Sequence, residues 1–210
     1  MTLAELEKSL DVKFPKKFHE IYDTGAMEWI EVGNEKFNEN MEHYLNDPKA
    51  FMMLSCDCEP IFFEDISDCI NSDYIISLNE LIKWREEYMN EKLDEKFRLI
   101  PFAMNGGGDF YCFLYEKGMD EPKIVMVAHD TCDLPDVIGK DFDEFLYIIM
   151  LSCVAYAVDD EDFSELEGEQ WTNNIGFLMP EYRKKIEEST PERLADFYWS
   201  INFDEAKIFS

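Results

Sequence analysis

Apolar residues recur at helical spacing from the first turn of the chain, where Leu3, Leu6 and Leu10 follow Thr2 and Glu5, a pair with the reciprocal spacing of a capping box. That spacing predicts a short opening helix. Pro15 suits the first turn of a second helix, since its missing N–H would be unpaired there anyway, and Phe18, Ile21 and Tyr22 supply a stripe that Gly25 ends. The two helices read as an N-terminal lid. Ser77 and Glu80 repeat the capping-box spacing, and Leu81, Trp84, Arg85 and Tyr88 carry a further helical pattern to about Lys92.

The period then changes from helical to alternating. Phe97 to Met104 is apolar and β-prone, Asn105-Gly106-Gly107-Gly108 can take positive φ, and Asp109 to Tyr115 alternates through aromatics. This predicts a hairpin. Gly118 to Pro122 makes another turn before Ile124 to Val127, which reads as a third antiparallel strand. Asp141 with Glu144 caps a helix whose Phe142, Phe145, Leu146, Ile149 and Met150 all have core spacing. Thr190 and Pro191 read as N-cap and N1 of a last helix through Tyr198, and residues 201–209 as a terminal strand.

At 210 residues the chain is expected to form one domain, and with 46% hydrophobic and 15% aromatic residues it can fill a core without disulfides. Charge changes the picture more than size does. Asp and Glu number 47 against 19 Lys and Arg, a formal net charge of −28, so nucleic acid and anionic membranes would be repelled and basic partners drawn in. No uninterrupted apolar stretch is long enough to span a bilayer, and Met1 to Glu5 lacks the basic start of a secretory signal. Cys56, Cys58, Cys69, Cys112, Cys132 and Cys153 form no Cys-x-x-Cys pair and are expected as reduced thiols in a cytoplasm.

The order of these elements resembles the SUKH superfamily, named for fungal glucan-synthesis regulators and the bacterial immunity proteins that share the fold. Leu10 to Tyr22, with Pro15 at its centre, resembles the family's opening, and Ile76 to Leu81 its middle strand-to-helix step. Leu99 to Phe113, a strand, a glycine turn, an aspartate and a second strand, is similar to its central motif. Val125 to Asp130 comes next in the same order, and Ile138 to Leu146 resembles the family's closing helix signature. The likeness covers about residues 2–150, leaves 26–74 without a family pattern, and is extended at 151–210 by helix. It implies an α+β fold with a central, mainly antiparallel sheet flanked by helices, and binding without catalysis. The expected function is neutralisation of a cognate toxin, for which charge complementarity alone suggests a basic nuclease; the alternative is a regulatory scaffold like the fungal members.

Candidate chemistry is sparse. Gly106, Gly107, Gly108 and Asp109 lack both the Gly-x-Gly-x-x-Gly spacing and the Gly-Lys-Ser/Thr ending of phosphate loops, so they are read as a structural turn whose aspartate bonds backbone amides. His129, Asp130 and Asp133 gather donor atoms, which would matter for a metal-assisted hydrolase if His19 or His43 converged on them, but no ligand spacing singles them out. No metal, cofactor or catalytic group is therefore assigned. No Lys or Arg occurs from Ala50 to Ile82, and Asp57, Glu59, Glu64, Asp65 and Asp68 are interleaved there with Phe62 and Phe63. These seven residues are the candidate partner-binding surface, with apolar anchors ringed by charge; the competing reading turns the aromatics into the core. Asp159 to Glu169 reads as a solvated acidic loop.

Overall fold

The computed structural model describes residues 1–45, 47, 58–72, 75–76, 78–80, 97–116, 118–119, 121–130 and 134–203, with the side chains at 45 and 165 excepted. Asp57, Ser77 with most of the helical pattern up to Lys92, and residues 204–210 lie outside them.

Helix α1 (Leu3–Leu10) carries the anticipated capping box: Glu5 N donates to Thr2 Oγ1 at 3.3 Å and Thr2 N donates to Glu5 Oε2 at 2.9 Å. α2 (Lys16–Asp23) begins one residue later than expected, because Pro15 has extended ψ and stands at the N-cap. A 3-10 turn (Glu28–Glu31) leads to α3 (Asn34–Leu45), and a two-residue strand β1 (Glu59–Pro60) precedes α4 (Ile66–Ile70). β2 (Phe97–Met104), β3 (Phe110–Glu116), β4 (Lys123–Val127) and β5 (Asp136–Gly139) complete the sheet. The remaining elements are α5 (Phe142–Asp159), a 3-10 turn (Ser164–Leu166), α6 (Glu169–Phe177), α7 (Pro180–Glu187) and α8 (Pro191–Trp199). Thr190 and Pro191 do serve as N-cap and N1 of α8. Of the anticipated terminal strand, Ile201 to Phe203 form none.

The sheet is an antiparallel meander in the order β1-β2-β3-β4-β5, so the fold is α+β as the resemblance implied. β2 bulges between Pro101 and Ala103. Pro101, which has no N–H to give to a ladder, lies beside that bulge and beyond the two residues that β1 pairs, Ala103 and Met104. Both faces of the sheet are covered, which is why β2 and β3 are buried at consecutive positions instead of alternate ones. One face sends Ile100, Phe102, Phe113 and Ile124 into the main core with α1, α2 and α5; the other packs Leu99, Cys112, Leu114, Val125 and Val127 with Ile75, Leu78 and Leu134.

Phenylalanine dominates the main core. Phe102 stacks on Phe113 at 4.2 Å, and Phe14, Phe18, Phe142 and Phe145 close around that pair at ring separations of 5.3 to 5.8 Å. α5 is buried almost all round, because the sheet covers one side and α8 the other. Even so, among the described residues no helix is long and apolar enough to cross a membrane. Leu178, Tyr182, Ile186 and Leu194 of the last helical segments join the same core. Cys58, Cys69 and Cys112 are not disulfide-bonded. Cys153 is disulfide-bonded, which corrects the expectation that all six are reduced.

Candidate functional site

Residues 59–68 form one border of the sheet. β1 is an edge strand of only two residues, with Glu59 exposed and Pro60 buried, so it offers little backbone to a further strand. Beyond it Ile61 N donates to Phe102 O at 2.9 Å and Phe63 N to Ile30 O at 3.1 Å, which turns the chain inward.

Here the sequence-based surface divides. Phe62 packs edge-on against Trp29 at 5.4 Å and Phe37 at 5.5 Å, and Phe63 stacks on Tyr22 at 6.1 Å; both are buried with Ile66 in the main core. As they stand they present no surface to a partner, and the competing reading holds for these two residues. The reason is local: the inward turn after β1 puts both rings beneath α3 and α2.

The carboxylates stay outside. Glu59, Glu64 and Asp68 are exposed and Asp65 is half-buried. Glu64 meets the N-terminus of α3, where Asn34 N donates to its Oε1 at 3.3 Å, a favourable place for negative charge. A Cβ on Gly33, whose φ is +81°, would collide with that carboxylate. Asn34 Nδ2 donates to Asp65 Oδ2 at 2.9 Å. Burial, followed by the charges of Glu64 and Asp68, lifts the Asp65 carboxyl above its usual range despite that bond. Among the described residues none of these four carboxylates has a cation within ion-pair distance.

The glycine turn is held by its own hydrogen bonds. Gly108 alone of its three glycines takes positive φ, +92°. Asn105 N donates to Asp109 O at 3.0 Å, Asn105 Nδ2 to Asp109 Oδ2 at 2.9 Å, and Asp109 N to Asn105 Oδ1 at 2.8 Å. The Asp109 carboxylate also accepts from His129 N at 2.8 Å and faces His129 Nδ1 at 2.9 Å, tying the turn to the end of β4. Burial opposes ionisation of Asp109, but Asn105 and His129 outweigh it and hold the carboxyl below its usual range.

The other histidines lie elsewhere: His19 contacts Glu7 Oε1 at 2.8 Å, and His43 packs against Tyr44 at 5.4 Å. Asp133 is outside the described residues, among which no group of three or more His, Cys, Asp or Glu is placed to hold a metal ion. Burial pushes the Cys69 thiol up, helped by Asp65 and Asp68, and burial pushes Cys112 well up, so neither is a ready nucleophile.

The sequence reading passed over the exposed aromatics of the C-terminal helices. Tyr156, Phe163, Phe197 and Trp199 are exposed. The available signal was position: Leu194, Ala195 and Tyr198 mark the inner face of α8, which leaves Phe197 and Trp199 on its flanks.

No curated protein and no solved structure matches this chain. A family model does, over residues 2–148, which include α1 through the meander to the first turns of α5. The capped α1, the proline-led α2, the glycine turn closed by Asp109 and the N-cap of α5 all lie within the matched residues, and the chain belongs to the SMI1 / KNR4 family (SUKH-1).

Proposed function

We propose that this chain is a non-catalytic immunity protein that binds a cognate, basic protein toxin in the cytoplasm and blocks its working surface stoichiometrically. Membership of the SUKH-1 family supports a role exerted through protein–protein contact. The observation that carries the reading is the surplus of carboxylate, a net −28, of which Glu59, Glu64, Asp65 and Asp68 along the β1 border have no cation within ion-pair distance among the described residues. Such a field draws in a cationic polypeptide and can occupy a site built for a polyanionic substrate such as nucleic acid. Phe62 and Phe63 support that border from within.

Residues 1–210 act as one unit in this reading, since residues of the C-terminal helices share the main core with the family-matched part. The lack of a disulfide at Cys58, Cys69 and Cys112 supports a reducing compartment, and the bonded Cys153 weighs the other way. Thiol labelling of protein quenched directly in cells decides between them.

The test is co-expression with the polypeptide encoded immediately upstream. A one-to-one complex that protects cells from that polypeptide is expected. Absence of a complex sinks the reading, and a shifting set of regulatory proteins in its place supports a scaffold like the fungal members.

A further inference from the structure

Among the described residues, exposed aromatic side chains are confined to one part of the chain. They are Tyr156, Phe163, Phe197 and Trp199, and all four lie beyond residue 148, where the family match ends. Two of them meet. Tyr156 near the end of α5 and Trp199 at the end of α8 pack edge to face at 5.8 Å, while 45% of one and 53% of the other remains open to solvent. Tyr198 braces the indole from behind at 4.9 Å.

Helical geometry sets carboxylates around this pair. Asp159 and Asp160 fall three and four residues after Tyr156, and Glu192 and Asp196 precede Trp199 by seven and three residues, so each shares a face with its aromatic neighbour. All four acids are exposed. Arg193, the single base of α8, lies about a third of a turn away from Trp199, toward Phe197. A rigid aromatic surface of this kind, ringed by negative charge, has the right chemistry to receive a guanidinium: the ring faces attract the cation and the carboxylates accept its N–H groups.

We propose that the Tyr156–Trp199 surface is the anchor site for an arginine-bearing face of a basic protein. This rests on the binding function proposed above and deepens it: the β1 border steers the partner, and the α5–α8 aromatics hold it. Charge complementarity selects this occupant over a second copy of the chain, whose own −28 would be repelled.

Deca-arginine is the probe, titrated calorimetrically into the 210-residue chain at physiological salt. Trp199→Ala combined with Tyr156→Ala weakens binding about tenfold, whereas Trp199→Phe keeps most of it. Phe197→Ala, and Glu35→Gln with Glu39→Gln, change it less than about twofold. These side chains are exposed, and unchanged circular dichroism checks that each variant folds. The proposal is overturned if the double variant binds like wild type, or if the two control variants lose as much as it does.

It is also overturned if sedimentation reveals a dimer that Trp199→Ala dissociates, which makes the occupant a second copy. Truncation after Phe203 that tightens deca-arginine binding several-fold assigns the surface to the chain's own last residues, with the same consequence. Failure of the two proposals is distinguishable. Peptide binding that depends on Tyr156 and Trp199 without any complex with the upstream-encoded polypeptide removes the immunity reading alone; a tight complex indifferent to these two residues removes this surface alone.

Discussion

Glu7 is the side chain on which the N-terminal helices turn. It is 3% exposed, yet it is an acid, and its two oxygens take Lys13 Nζ at 2.9 Å, Phe14 N at 2.9 Å and His19 Nε2 at 2.8 Å. Burial favours the neutral acid, but Lys13, the Phe14 amide and His19 together outweigh it and keep the carboxyl below its usual value. A lowered carboxyl stabilises the fold fully above the unfolded value, about 4.3, and ceases to do so as pH falls through the folded one. Glu7→Gln therefore lowers stability by about 2 kcal/mol at neutral pH, and the gap between mutant and wild-type melting temperatures narrows as the solution is acidified below the unfolded value. Thermal melts of both proteins across that range check this; a constant gap means that the Glu7 charge contributes nothing. Its partners are six to twelve residues away in sequence. No periodicity could announce them, because the loop at Asp11, with φ +52°, brings them together.

Elements with a full period were legible, and elements without one were not. The hairpin at 97–116 has eight- and seven-residue apolar strands around a glycine turn. β1 has two residues and includes a proline, and β5 reads Asp-Val-Ile-Gly, too short for alternation to register. α3 does place Phe37, Met41 and Tyr44 at helical spacing, but polar residues surround them and its helical geometry breaks at Asn40. At the candidate border the sequence left open whether Phe62 and Phe63 face a partner or the core, since alternation does not say which side faces inward; the long-range bond from Phe63 N to Ile30 O accompanies their burial. The β5–α5 junction shows what such short elements require. Lys140 N donates to Glu144 Oε2 at 2.8 Å and Glu144 N to Asp141 Oδ1 at 2.8 Å, a cap that draws the start of α5 onto Gly139. A Cβ there would lie 2.9 Å from Phe145 N and 3.0 Å from Asp141 O, both fixed backbone. Gly139→Ala is accordingly expected to destabilise the protein by about 1–3 kcal/mol. Gly176→Ala on α6, where a Cβ meets nothing within 4 Å, is expected to stabilise it by about 0.5–1 kcal/mol. Urea midpoints at constant m-value measure both.

Across the whole molecule, charge and apolar contact act at different distances, so they govern different steps of association. A net −28 is felt by an approaching cation out to roughly a Debye length, about 8 Å at physiological ionic strength. That attraction speeds encounter. Once surfaces touch, the interactions that must break before release are short-ranged, and desolvated aromatic contact is screened little by salt. With the upstream-encoded partner, raising salt should therefore lower the association rate steeply and leave the dissociation rate nearly flat. Glu59→Gln with Asp68→Asn, which removes two exposed charges from the β1 border, should slow association roughly two- to threefold. Trp199→Ala should act oppositely, raising the dissociation rate about tenfold with little change in association. Stopped-flow association and surface-bound dissociation separate the two rates. If salt acts chiefly on dissociation, the carboxylates lie inside the contact, and steering by the β1 border is the part that falls.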